Sequence, residues 1–366
     1  MVNRLIVANL VARPMRTMLS VTAVAVEMVL IILVVGLTHG ILQETARRTA
    51  GVGAQIMVLP QTTSFVMGMS GTPLPTQLAD RIAEVSGVQA VAPVATKVSS
   101  NGGVTIIYGI DPPRFNAVSG GFRFLQGRGL QAPDEVLVDD IHARAHKLRA
   151  GQTVELLNHT FRLAGIVEHG KGARIFMKID ALQDLLGAPG KASVFFVKVV
   201  NPQQTAQVLE ELRRLLPNYQ LRDMAEYLSL MTASNVPGLN NFITVMIALA
   251  VSIGLLVIFI TMYSTIVERT REIGILKSMG ASNRYIVSVV LRETALLTAV
   301  GIGAGIGLSF LLRRLTGVVF PTLPILITPG WMLRAGLIAL AASFIGSVYP
   351  AFRASKLDAI EAIAYE

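Results

Sequence analysis

Four stretches of this chain, 19–38, 242–267, 287–312 and 331–349, are apolar over lengths that can cross a bilayer. A membrane-crossing helix needs roughly 20 mainly apolar residues, and in lipid its backbone N–H and C=O groups have only one another to bond. Composition agrees. Of 366 residues 52% are hydrophobic and 15% charged, against about 25% charged in a soluble domain. The expected fold is membrane α-helical, with four transmembrane helices and a large extracytoplasmic α+β domain inserted between helices 1 and 2.

Basic residues beside the runs set the expected topology. Arg4, Arg13 and Arg16 precede the first run and place the N-terminus inside. That run exceeds the ~7–15 residues of a signal-peptide core and no A-x-A-like site follows directly, so it is read as an uncleaved anchor. Four spans return the C-terminus inside, where Arg353 and Lys356 agree, while Arg313 and Arg314 on the outer side oppose the rule. Residues 43–240 carry 19 Lys/Arg against 16 Asp/Glu, and long domains translocate regardless of charge. The expected segments are a basic amphipathic stem (1–18), the first span and its extension (19–42), the outer domain (43–240) and the second span (241–267). A short cytoplasmic helix (268–286), the third span (287–312), an outer loop (313–330), the fourth span (331–350) and a cytoplasmic C-terminus (351–366) follow. The basic excess outside the outer domain flanks apolar runs, which is a topology signal and not a nucleic-acid surface.

Within 43–240, "AQIMVLP" (54–60), "VQAVAPVATKV" (88–98), "GVTIIYGID" (103–111) and "SVFFVKVV" (193–200) predict strands. "PTQLADRIAEVSG" (75–87) predicts a helix, as does "NPQQTAQVLEELRRLL" (201–216) with an Asn cap and a Pro in its first turn. Short strands between glycines over 112–190 predict a small β-rich insert. From Asp223 the pattern allows one long helix into the second span, kinked at Pro237 and Gly238.

Several chemistries lack their residues. There is no cysteine, hence no disulfide framework or thiol nucleophile, and no G-x-x-x-x-G-K-[ST] phosphate loop. No metal site is expected: His142 and His146 share a helical spacing but nothing nearby in sequence completes a ligand set. "GIGAGIG" (301–307) sits inside an apolar run, where Gly301, Gly303, Gly305 and Gly307 favour close helix packing. Glu27 is an acid well inside a span, expected to face other helices or a wet cavity because its insertion costs about 2.5–3.5 kcal/mol. "SFVMGMSG" (64–71) is an adaptable apolar tract suited to its own domain, to lipid or to cargo.

Between the second and third runs lies "VERTREIGILKSMGASNRY" (267–285). Ile273, Leu276 and Met279 recur three apart, Gly280 suits the residue past a helix end, and Ser282 can cap the next helix. The segment predicts a short helix along the inner membrane face, serving as a solvated topology determinant or as a lever for a cytoplasmic partner.

This loop, "VERTREIGILKSMGASNRYI", resembles that of the MacB/FtsX-like permeases of the ABC superfamily. "ARPMRTMLSVTAVAV" is similar to that family's opening and "YPAFRASKLDAIEAIAYE" to its C-terminal signature, with Ala359 where members often carry Pro. "VQAVAPV", "YGID", "EVLVDDIHARAHKLRAGQTVEL" and "FRLAGIVE" resemble its outer core domain. The resemblance implies a multi-pass protein of the bacterial inner membrane that dimerises with a second copy or paralogue and binds a separate cytoplasmic ATPase. Glu268, Arg269, Arg271, Glu272, Gly274, Lys277 and Gly280 would then form the ATPase-facing helix. No catalytic residue or cofactor is expected on this chain, ATP and Mg being bound by the partner. The leading expectation is export or extraction of an amphipathic cargo, with an adaptor or cargo carrier as an additional outer partner. The alternative is an FtsX-like signalling subunit activating an outer partner such as a cell-wall hydrolase, and the third a membrane-anchored binding module without an ATPase.

Overall fold

The computed structural model describes residues 14–61, 73–99, 105–232 and 234–358. The tract 64–71, the start of the stem and the last eight residues lie outside them. Two compact units divide the described chain, one of long helices and one α/β.

Helix α1 (Pro14–Ala50) is 37 residues long, about 55 Å, against the ~30 Å of a bilayer core. It runs past the expected limit at 42 because between Pro14 and Gly53 there is no further Pro and no glycine in a left-handed conformation. The chain leaves the helix at Gly51, where a Cβ would stand 1.8 Å from the Gly170 carbonyl oxygen, and turns at Gly53 with φ 80°.

The α/β unit then lays down β1 (Ile56–Pro60), β2 (Leu74–Pro75), helix α2 (Leu78–Ala83), β3 (Val88–Ser99), β4 (Thr105–Ile110) and α3 (Pro112–Ser119). Next come β5 (Phe124–Gly127), β6 (Glu135–Asp139), α4 (Asp140–His146), β7 (Thr153–Leu156), β8 (His159–Val167), β9 (Ile175–Lys178) and α5 (Ile179–Leu185). The unit closes with β10 (Lys191–Ala192), β11 (Val194–Val199), α6 (Thr205–Leu215), β12 (Tyr219–Asp223) and α7 (Met224–Ser229). Nine strands follow the order β12-β1-β11-β3-β4-β9-β6-β8-β5, with β7 on β8, and β10 pairs β2 separately. Both faces are covered, which is why β1 and β11 are nearly continuous apolar runs. Ile56, Val58 and Phe195 face one core with α2 and α6, while Met57, Leu59 and Phe196 face another with α3. Residues 112–190 form no separate sheet. β9 pairs in parallel with β4, Ile107 opposite Ile175, so the expected insert continues one sheet.

Among the described residues four long helices are apolar enough to cross a membrane: α1, α8 (Leu239–Glu268), α10 (Asn283–Val319) and α11 (Pro329–Ser355), with α9 (Thr270–Ser278) between the second and third. The continuous helix expected from Asp223 is not formed. α7 stops at Ser229, and Gly238, with φ 77°, starts α8 afresh. Small residues set the helix contacts. A Cβ on Gly301 or Gly305 of α10 would lie 2.6 Å from the Cβ of Val24 or Met28 on α1, and one on Gly346 of α11 would lie 2.8 Å from the Leu255 carbonyl oxygen of α8.

Candidate functional site

The connection between α8 and α10 is short and strongly charged, and its geometry separates residues that hold it from residues it presents. Arg269 sits between α8 and α9, off helical geometry at φ −102° and ψ 13°. Its Nε donates to Glu272 at 2.8 Å and its guanidinium to Glu293 on α10 at 3.2 Å. At the other end Gly280 adopts φ 93°, and its N–H and that of Ala281 bond back to Lys277 and Leu276. The Ser282 hydroxyl accepts from Tyr285 N–H at 3.3 Å and caps α10. Such left-handed glycines satisfy the last carbonyls of a helix.

Ile273 of α9 is buried with Ile266, Ile286, Val290, Ala351 and Ala354, so α9 is seated on α8, α10 and α11 together. Gly274 is buried as well. Lys277 also turns inward, its Nζ donating to the carbonyls of Ser355 and Leu357 at 2.8 and 2.7 Å, where it caps the end of α11. A cation there satisfies orphan carbonyls and opposes the negative end of the helix dipole. Glu268 forms an ion pair with Arg16 of α1. Of the seven sequence-derived residues, Glu268, Arg269, Gly274 and Lys277 therefore make contacts within the bundle, while Arg271, Glu272 and Gly280 face outward.

The outward face has an apolar ridge that the sequence reading did not pick out. Arg271, Ile275 and Met279 stand four apart on one face, with Ile275 46% and Met279 71% exposed. Met279 does not continue the inward row of Ile273 and Leu276, because repeated three-residue steps drift around a helix of 3.6 residues per turn and leave it exposed. Glu293 was also missed. Its signal was an acid seven residues into the third apolar run.

Glu27 is 2% exposed, and neither carboxylate oxygen has a hydrogen-bond partner among the described residues. It lies against Gly254 of α8, where a Cβ would stand 2.0 Å from Oε2. The glycine run divides: Gly301 and Gly305 touch α1, whereas a Cβ on Gly303 or Gly307 would meet nothing within 4 Å. Helical spacing turns alternate members of such a run to opposite faces.

In the α/β unit the His142 and His146 rings are 4.4 Å apart. No group of three or more His, Cys, Asp or Glu able to hold a metal occurs among the described residues. Burial, then the charges of His146 and Arg174, lowers the His142 pKa to about 4. As pH falls below about 6.5 the unfolded chain takes up this proton first, so stability declines between about 6.5 and 4, by about 3 kcal/mol in all. His142→Gln is expected to flatten that limb of a thermal-midpoint profile. An unchanged slope contradicts the assignment.

Residues 17–215 match the family model for the MacB-like periplasmic core domain, and residues 244–359 that for the FtsX-like permease C-terminal region. An uncharacterized ABC transporter permease of Methanocaldococcus jannaschii is 26% identical over 265 residues, covering 67% of this chain and 66% of that protein. The macrolide export ATP-binding/permease protein MacB of Syntrophobacter fumaroxidans is 31% identical over 172 residues, 45% of this chain and 23% of that one. The chain thus spans less than two thirds of the length of these curated relatives. Among solved structures, the periplasmic region of MacB from Actinobacillus actinomycetemcomitans is similar at 19% identity and TM-score 0.38, covering 48% of this chain and 92% of that one.

Proposed function

The chain belongs to the MacB/FtsX-like family of ABC transporter permeases, and from that premise we propose that α9 is the surface on which a separate cytoplasmic ATPase docks. In this reading both termini are cytoplasmic, the α/β unit faces outward, and two permease copies or a copy and a paralogue assemble with the ATPase. ATP-driven movement of α9 then drives export or extraction of an amphipathic cargo on the outer face. Macrolides are the cargo named for the Syntrophobacter relative, and a lipoprotein, lipid, peptide or haem has the same amphipathic character.

The observation that carries the proposal is the division of labour on α9. Ile275 and Met279 are exposed apolar side chains beside the charges of Arg271 and Glu272, a combination suited to a partner's groove. The opposite side is fastened at three points: Ile273 in the core with α10 and α11, Arg269 to Glu293, and Lys277 to the end of α11. A push on the exposed ridge is therefore delivered to three membrane helices as one body, not absorbed by a loose loop. Packed elements of this kind pass small displacements onward because they do not deform continuously.

Replacing Ile275 and Met279 together by Asp tests the reading. Both side chains are exposed, so the permease should fold with an unchanged thermal midpoint. Since a few buried anchors carry most of an interface's energy, stimulation of the ATPase by the reconstituted permease should fall about tenfold or more. Full stimulation by the double variant would reject α9 as the docking surface.

A further inference from the structure

A groove of about 620 Å³ opens between α10 and α11, and Arg271, Ile275 and Met279 are not among its lining residues. Its lining includes apolar Leu291 on α10 and Phe344 and Phe352 on α11, the two phenylalanines 37% and 56% exposed. Its rim carries three cations: Arg284 and Arg292 on α10, eight residues apart on one face, and Lys356 just past α11. None of the three forms an ion pair with a described residue, and the acid next to Arg292, Glu293, is bonded to Arg269. Arg292 lies about 12 Å further along α10 than Arg284, within the run that composition assigns to the membrane. A guanidinium inside an apolar run is costly unless an anion or water reaches it.

We infer that this groove holds an anionic phospholipid, its headgroup phosphate between Arg284, Arg292 and Lys356 and an acyl chain along Leu291, Phe344 and Phe352. The inference rests on the proposed topology only in placing the groove at the cytoplasmic leaflet. Charge complementarity selects the occupant: an apolar trough bordered by three cations, none paired with a described residue, matches a molecule with an anionic head and an apolar tail. A zwitterionic lipid offers the same tail with no net charge, and a lipid cation would be repelled. A basic peptide is excluded by the same repulsion.

Two sequence facts make the test direct. The chain has one tryptophan and no cysteine, so Trp331→Phe with Phe352→Trp leaves a single indole inside the groove. The full chain is placed in symmetric nanodiscs of phosphatidylcholine containing the same mole fraction of brominated phosphatidylglycerol or of brominated phosphatidylcholine. Quenching should report at least about a fivefold preference for the anionic lipid, the factor expected of one cation near a membrane surface. Arg284→Gln, Arg292→Gln and Lys356→Gln combined should remove the preference, and Arg292→Gln alone should reduce it about fivefold should the triple variant not assemble. Arg313→Gln with Arg314→Gln, a basic pair outside the groove, should leave it unchanged. Equal quenching by the two lipids overturns the inference, as does a preference that survives removal of the groove cations or disappears with Arg313 and Arg314. Symmetric discs present lipid to both ends, so this readout does not depend on orientation. Thiol labelling of Ser278→Cys from one side of sealed vesicles tests the proposed topology separately.

Discussion

Arg174→Ala is expected to destabilise the α/β unit by about 3–5 kcal/mol at neutral pH, because it strands a buried carboxylate. Asp139 is fully buried and Arg174 is 5% exposed. The guanidinium donates to Asp139 Oδ2 at 2.8 Å and lies 3.6 Å from Glu44 on the last turns of α1. Asp139 Oδ1 meanwhile accepts from His142 N–H at 2.6 Å and so caps α4. One arginine thus ties β6, the start of α4 and α1 within the unit. Burial pushes the Asp139 pKa up, Arg174 opposing it. Without Arg174 that pKa rises further. A folded pKa above the unfolded value adds stability as pH falls through it, so the variant's deficit should shrink on acidification. Asp139→Asn combined with Arg174→Met should recover most of the loss. A deficit under about 1 kcal/mol, or one that grows on acidification, contradicts the account.

Gly305→Leu is expected to cost the helical unit about 3 kcal/mol or more, whereas Gly303→Leu should be tolerated. A Cβ on Gly305 would stand 2.6 Å from Met28 Cβ and 2.9 Å from the Ala25 carbonyl oxygen, atoms too near the α1 backbone to move aside cheaply. Gly303, two residues away in the same helix, faces open space. Both substitutions raise helix propensity by a similar amount, up to about 1 kcal/mol, so their difference isolates the packing of α10 on α1. Thermal midpoints in detergent read it. Equal midpoints for the two variants would show that this contact does not hold the bundle.

The pair also shows what was legible in the sequence. The run "GIGAGIG" marks close packing, but four glycines look equivalent in a string and only two face α1. Length and apolarity made the four membrane helices legible, and their ends were less so, since nothing between Thr38 and Gly51 halts α1. Strands β1 and β11 announced themselves by continuous apolar residues, as sheets buried on both faces do. The pairing of β4 with β9 was not visible, because register between segments 65 residues or more apart is a tertiary property. At the candidate site the local devices could be read, Gly280 ending α9 and Ser282 capping α10. The direction of Lys277 could not. Its partners are carbonyls 78 and 80 residues later in the chain, and no local pattern encodes them. The outward row of Arg271, Ile275 and Met279 was present as a four-residue spacing but competed with the three-residue row beginning at Ile273.

The most direct test of ATPase docking on α9 is site-specific photocrosslinking in native membranes, with a photoreactive residue in place of Met279 or, as an inward-facing control, of Ile273. An adduct is expected from position 279 to an ATP-hydrolysing subunit, with none from position 273. An adduct-free position 279 in membranes where the complex is active would contradict it.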